Sequence, residues 1–242
     1  MVKILAIDTS QKTVSIAVVA DDMLRADIFV DNGRHHSEIL MPAVEQALRL
    51  AGFQPDEMDF FAVTIGPGSF TGLRIGAATI KGLALSTGKP VVGVSTLEAL
   101  ALNAALVGQQ MICPMLDAQK NQVYTALYRP DAGPAVKRTT AEQVVDVDRW
   151  LKELKGDIIF LGDGAVKYAQ RIHARYASAA CIAEGRQNHV RAAAAAVLAR
   201  DQFLQGQRLD LLTFTPCYLR PSEAERSIRQ ETSEIDKPQE FR

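Results

Sequence analysis

The chain has 242 residues, 48% of them hydrophobic and 23% charged, with a formal net charge of -1 at pH 7. That length can bury one large core or two smaller ones and favours two, while interleaved charge signs and the lack of a Lys/Arg stripe argue against autonomous, high-affinity nucleic-acid binding. The N-terminus runs directly into a strand broken by Asp8, and no run reaches the ~18 apolar residues of a membrane span, so the reading is a soluble cytoplasmic protein without a membrane partner. Cys113, Cys181 and Cys217 are dispersed, form no CxxC pair and have no histidine at ligand spacing. They are expected to be buried thiols in a reducing cytosol.

Lys3 to Asp8, Val14 to Ala20 and Arg25 to Val30 are β-rich runs separated by polar turns, and predict a three-strand meander. From Ser37 to Leu50, Ile39, Leu40, Ala43, Val44, Ala47 and Leu48 recur at three-and-four spacing with Gly52 as the stop, which predicts a helix. Pro42 lacks an N–H, so this helix either starts later or bends there. The strand Phe60 to Ile65 leads through a glycine loop into a helix ending at Leu85, followed by a strand at Val91 to Val94. Ser95 and Glu98 are spaced as a capping box opening the next helix.

The second half repeats that order. Met111 to Leu116 and Gln122 to Tyr128 predict a hairpin around Gln119-Lys120-Asn121, with Ala135 to Arg138 as a third strand. Thr140 and Gln143 open a short helical region ending near Leu154. The strand Asp157 to Leu161 runs through Gly162-Asp163-Gly164 into a helix to about Tyr176, a short strand lies at Cys181 to Ala183, and an alanine-rich helix spans His189 to Gln205. A period near half the chain means duplication of a whole domain. The expected units are 1–105, carrying the glycine loop and the apolar helices, a smaller unit 106–221, and a disordered polar tail 222–242.

The glycine loop is Gly66-Pro67-Gly68-Ser69-Phe70-Thr71-Gly72-Leu73-Arg74-Ile75-Gly76. Glycines at a strand-to-helix junction let a phosphate approach the outward N–H groups and the positive end of the helix dipole, so Gly66, Gly68, Ser69 and Gly72 are candidate phosphate ligands. The ending Gly-Lys-[Ser/Thr] is missing and the spacing does not fit a dinucleotide fingerprint. Equally, Gly72, Gly76 and Gly82 can serve close helix packing alone.

Two copies of strand, strand, strand, helix, strand, helix, strand, helix resemble the superfamily of actin, sugar kinases and the Hsp70 ATPase domain. The resemblance implies a duplicated actin-like/Hsp70-like ATPase (ASKHA) α/β fold of two mixed-sheet domains. It also implies nucleotide between the halves and a first-strand aspartate near phosphates and metal. Asp8-Thr9-Ser10 occupies that turn without the usual glycine after the aspartate, and by itself Asp8 reads as an Asx-type cap.

Read together, Ile4-Leu5-Ala6-Ile7-Asp8-Thr9-Ser10, the glycine loop, Lys81-Gly82-Leu83-Ala84, Gly93-Val94-Ser95-Thr96-Leu97-Glu98-Ala99-Leu100 and Cys217-Tyr218-Leu219-Arg220-Pro221 resemble the TsaB (YeaZ) family. That family is the small paralogue in the bacterial machinery making threonylcarbamoyladenosine next to the tRNA anticodon. Its larger paralogue, TsaD, is the transferase and binds metal through two histidines. Those two positions fall on Thr96 and Leu100 here, and neither residue can replace an imidazole, so no metal site of that type is expected. His35, His36, His173 and His189 do not rebuild it and read as surface or capping residues.

The resemblance implies a non-catalytic scaffold activating a TsaD-like paralogue, with a TsaE-like ATPase as a further partner, a homodimer when the paralogue is missing, and tRNA contact only through the complex. No cofactor is required; ATP or ADP at a subunit interface is the one it allows. Relatives pair through helices of the first half, so Ile39, Leu40, Val44 and Leu48, with Arg74 on the following helix, are the expected partner surface, supported by an apolar stripe wider than one buried face. The competing readings are a small-molecule kinase or nucleotide-binding ATPase of the actin-like superfamily, and a glycopeptidase-like hydrolase. Such a hydrolase needs a nucleophile beside a base, and Ser69 has no histidine near it in sequence.

Overall fold

The computed structural model describes residues 2–105, 109–132, 135–177 and 180–220. The expected tail and part of the expected junction between halves lie outside the described residues. β1 (Lys3–Asp8), β2 (Val14–Ala20) and β3 (Met23–Val30) form the antiparallel meander, and β4 (Phe60–Gly66) and β5 (Val91–Ser95) add in parallel to the other edge of β1. The order is β3-β2-β1-β4-β5. A central strand is covered on both faces, which is why Ile4 to Ile7 is a continuous apolar run rather than an alternating one.

On one face, α1 (His36–Ala51) and α2 (Phe70–Thr87) pack on Leu5, Ile7, Ile16, Phe61 and Val63. Gly52 closes α1 at φ 74°, in the left-handed region that favours glycine. Pro42 lies inside α1 on its exposed side, and the helix runs through it.

The second sheet repeats the plan. β6 (Met111–Asp117), β11 (Ile158–Leu161) and β12 (Ala180–Ile182) are parallel, as β1, β4 and β5 are, and β7 (Gln122–Thr125) is antiparallel to β6. β8 (Tyr128–Asp131) pairs with β6 and with β9 (Ala135–Arg138). α4 (Val147–Glu153), α5 (Asp163–Lys167) and α6 (Ala169–Tyr176) cover the outer face around Trp150, Phe160 and Ile172. This is the duplicated actin-like α/β fold.

Between the sheets lie α3 (Thr96–Leu102) and α7 (Ala192–Leu204). α3, from the first half, packs on β4 and β5 of its own sheet and on β6 and β9 of the second, whereas α7, from the second half, packs on β1, β2, β4 and β5 of the first. One buried cluster therefore runs from Ala6 and Phe60 through Leu97, Leu100 and Ala195 to Ile112 and Ile159. Phe60 stacks on Phe203 with centroids 4.2 Å apart, and Ser15 of β2 accepts from Ala192 N at the start of α7 at 3.0 Å.

Several expectations are corrected. Gln122 to Tyr128 is not one strand but the separate β7 and β8. The helical region expected from Thr140 begins instead as β10 (Gln143–Asp146), antiparallel to β7, and its partner strand decides a segment too short to carry its own signal. Asp146 then caps α4, accepting from Arg149 N at 3.1 Å. The helix expected up to Tyr176 breaks at Tyr168 into α5 and α6, and the alanine-rich helix starts at Ala192 rather than His189. Only Cys113 is buried; Cys181 and Cys217 are exposed.

Candidate functional site

The β1–β2 turn carries Asp8, which is fully buried. Its Oδ1 accepts from Ser10 Oγ and Thr64 Oγ1, both at 2.6 Å, and from Ser10 N at 3.3 Å. Oδ2 has no partner among the described residues. Burial pushes the carboxyl up to about 6, against the opposing hydrogen bonds of Ser10 and Thr64. The group is therefore a neutral acid only below about pH 6, and the Asx-type hydrogen bond to Ser10 N is present.

The glycines of the loop meet this turn. A β-carbon on Gly68 would lie 2.5 Å from the Ser10 carbonyl oxygen, and those on Gly72 and Gly76 would overlap the Thr9 carbonyl and hydroxyl oxygens. Thr9 Oγ1 donates to the Gly72 carbonyl at 2.8 Å. Two loop donors are engaged internally: Ser69 N donates to Ser10 O at 2.7 Å, and Gly72 N donates to Ser69 Oγ at 3.2 Å as the N-cap of α2. Gly66, at φ 118°, faces the Cys217 carbonyl, whose own N–H donates to Ile65 O at 2.6 Å. These glycines thus allow the loop to seat on Thr9-Ser10 and on the C-terminal segment.

Above the turn a cleft of about 810 Å³ separates the halves. Ser10, Gln11, Lys12, Gly68, Ser69 and Arg74 line it from the first half, Asp117, Lys120, Tyr124 and Asp163 from the second, and Tyr218 and Arg220 from the C-terminal segment. Of the candidate phosphate ligands, Gly68 and Ser69 thus reach the cleft, while Asp8, Gly66 and Gly72 do not line it. Arg74 stands at its wall, with its guanidinium 4.0 Å from the Phe70 ring centre and Nε donating to Tyr218 Oη at 3.2 Å. Gln11 ties the halves together, accepting from Val190 N at 2.8 Å and donating to Asn188 O at 3.3 Å, and its carbonyl lies 2.9 Å from His36 Nε2.

The expected partner residues divide. Leu40, Val44 and Leu48 are buried in the core of the first sheet, Ile39 is half-buried against it, and the exposed apolar side chains of the two helices are Met41, Leu50 and Leu85. A cavity of about 600 Å³ opens between Met41, Val44 and Leu48 of α1, Pro55 and Leu83 of α2. Thr96 and Leu100 are fully buried. Among the described residues, no three His, Cys, Asp or Glu side chains cluster to hold a metal, and no helix is long and apolar enough to cross a membrane.

Sequence reasoning did not single out Lys12 and Lys120. Each sits in a hairpin turn, an ordinary place for a solvated lysine, and only the pairing of the halves brings them to one cleft. The Tyr218–Arg220 segment was legible as a motif but not as a cleft wall.

Residues 31–226 match the family model of TsaD, tRNA N6-adenosine threonylcarbamoyltransferase. The chain is 34% identical over 225 residues to the tRNA threonylcarbamoyladenosine biosynthesis protein TsaB of Bacillus subtilis, covering 92% of this chain and 96% of that one. It is 33% identical over 166 residues to the protein of the same name from Escherichia coli, covering 67% and 71%. The solved structure of YeaZ from Pseudomonas aeruginosa superimposes with a TM-score of 0.79 at 26% identity, over 90% of this chain and 100% of that one.

Proposed function

We propose a role for this chain from one premise: it belongs to the TsaB family of tRNA threonylcarbamoyladenosine biosynthesis proteins. Within that machinery it is a non-catalytic scaffold that pairs with a TsaD-like paralogue and activates it to add the threonylcarbamoyl group to tRNA adenosine. The observation that carries this reading is the pair Thr96 and Leu100. They stand one helical turn apart on α3, at the positions to which the family resemblance assigns the transferase's metal histidines, and both are fully buried without an imidazole. Ser69, the loop serine a hydrolase would use as nucleophile, has its hydroxyl engaged as the α2 cap, which weighs against the peptidase reading.

Pairing is assigned to the outer face of α1 and α2, where Met41, Leu50 and Leu85 are exposed and flank the smaller cavity. The same face joins two copies of this chain when the paralogue is missing, and a TsaE-like ATPase completes the assembly. Reconstituted tRNA modification tests the role. The chain alone should transfer nothing, and activity should require the catalytic paralogue together with this chain. Robust modification by this chain as sole protein, or by the paralogue system without it, overturns the proposal.

A further inference from the structure

Four cations far apart in sequence converge on the cleft between the halves: Lys12 from the β1–β2 turn, Arg74 from α2, Lys120 from the β6–β7 turn and Arg220 from the C-terminal segment. Among the described residues none of them has an ion-pair partner. Arg74 and Arg220 donate to neutral oxygens, Tyr218 Oη at 3.2 Å and the Ala118 carbonyl at 3.0 Å. The two carboxylates of the same walls do not cancel this charge. Asp117 is paired with Lys167 at 2.7 Å, and Asp163, which accepts from Asp117 N at 3.0 Å, is a single carboxylate against four cations. A chain of net charge -1 thus concentrates uncompensated positive charge in one place.

Lys120 is held there at a conformational cost. Gln119, Lys120 and Asn121 all have positive φ, at 60°, 51° and 59°, and three successive non-glycine residues in the left-handed region need their surroundings to hold them. Asp117 Oδ1 accepts from Gln119 N at 3.0 Å, the Asn121 carbonyl accepts from Val147 N at 3.0 Å, and Asn121 Oδ1 accepts from Arg171 at 3.2 Å.

The occupant is anionic, and two loop donors that would cradle a compact phosphate are already taken by Ser10 and Ser69. Positive charge instead sits on long side chains on both walls, beside the rings of Tyr124 and Tyr218. Dispersed Lys/Arg with aromatic neighbours is how proteins track a ribose-phosphate backbone without reading its sequence. We infer that this cleft is a contact site for the phosphate backbone of RNA, which holds tRNA on this subunit while the paralogue acts. The identity of the RNA rests on the proposed function; the anion site rests on the cleft alone.

The test is fluorescence anisotropy of labelled tRNA with the full chain across a low-salt series, comparing wild type with Lys12→Gln/Lys120→Gln. The variant should bind at least tenfold more weakly, and the slope of log K against log salt should fall by about 1.5, two phosphate contacts' worth. Lys152→Gln/Lys155→Gln, in the last turn of α4 and just past its end, should change neither. Melting temperature and co-purification with the paralogue verify the fold, and should the double variant melt early, Lys120→Gln alone carries the comparison. Unchanged affinity and slope overturn the inference while leaving the scaffold role standing. Binding of ADP or inorganic pyrophosphate by the wild-type chain without any binding of tRNA overturns it too, since the cleft then takes a small phosphate ligand. If the paralogue modifies tRNA without this chain, the scaffold reading fails whatever the anisotropy shows.

Discussion

Gly72→Ala and Gly82→Ala add the same methyl group to the same helix and should shift stability in opposite directions. At Gly82 nothing lies within 4 Å of the new carbon, so only the helix propensity of alanine acts, and the protein gains about 0.5–1 kcal/mol. At Gly72 the new carbon overlaps the Thr9 carbonyl oxygen and lies 3.3 Å from Ser69 Cβ and Oγ, so backbone must move on one side or the other. Overpacking of that kind costs about 1–3 kcal/mol, and displacing the 2.8 Å bond from Thr9 Oγ1 to the Gly72 carbonyl costs ~1 kcal/mol more. After the propensity gain, the net loss is about 1–3.5 kcal/mol. A chain of this size moves by roughly 2–4 °C per kcal/mol, so Gly72→Ala should melt ~2–14 °C lower and Gly82→Ala ~1–4 °C higher. Thermal circular dichroism with urea midpoints reads both. If Gly72→Ala melts with wild type, or if the two variants shift together, the seating of α2 on the Thr9-Ser10 turn is wrong.

Asp8 gives a pH signature. Its folded carboxyl lies at about 6 against 3.8 in the unfolded chain, so the stability from holding this proton is fully present below about pH 4 and is lost as pH rises through about 6. Asp8→Asn removes that dependence, and relative to wild type it should gain about 3 kcal/mol between pH 4 and 8 in urea unfolding; a pH-independent difference contradicts the buried acid. Cys113, buried with its thiol pushed up to about 11, should resist alkylation in the native protein while Cys181 and Cys217 react; three equally fast thiols would show that the second sheet's outer core is open. On α1, Leu40→Ala should cost about 2–5 kcal/mol because Leu40 is core, whereas exposed Met41→Glu should leave the melting temperature unchanged and abolish pairing with the paralogue. Pairing that survives Met41→Glu moves the interface off this face.

The elements with strong local signals were legible. The β2 limits and the Gly52 stop of α1 follow from runs that carry their own periodicity and punctuation. Elements that depend on a partner were not: β10 is four residues long and is a strand because β7 lies beside it. The glycine loop was visible, but its neighbour Thr9 lies more than fifty residues earlier, so whether the glycines serve a ligand or the chain itself needed the tertiary contact. On α1 the three-and-four spacing already put Leu40, Ala43, Val44, Ala47 and Leu48 on the core face, with Met41 and Leu50 beyond it, and the structure buries those five. Leu40, Val44 and Leu48 turn inward and Met41 and Leu50 outward because the sheet, not the helix, fixes the rotation.

The packing of α7 on the first sheet has a consequence for synthesis on the ribosome. The inner face of the first sheet, with Ala6, Ala17 and Phe60, is made early, yet its cover α7 is translated only after nearly the whole second half. Until then only α3 covers part of that apolar face, beside β4 and β5, so the nascent first half does not reach its final stability before α7 is made. A fragment ending before Ala192 should therefore bind a hydrophobic dye such as ANS, as the full chain does not, because Ala6, Ala17 and Phe60 lose their α7 cover.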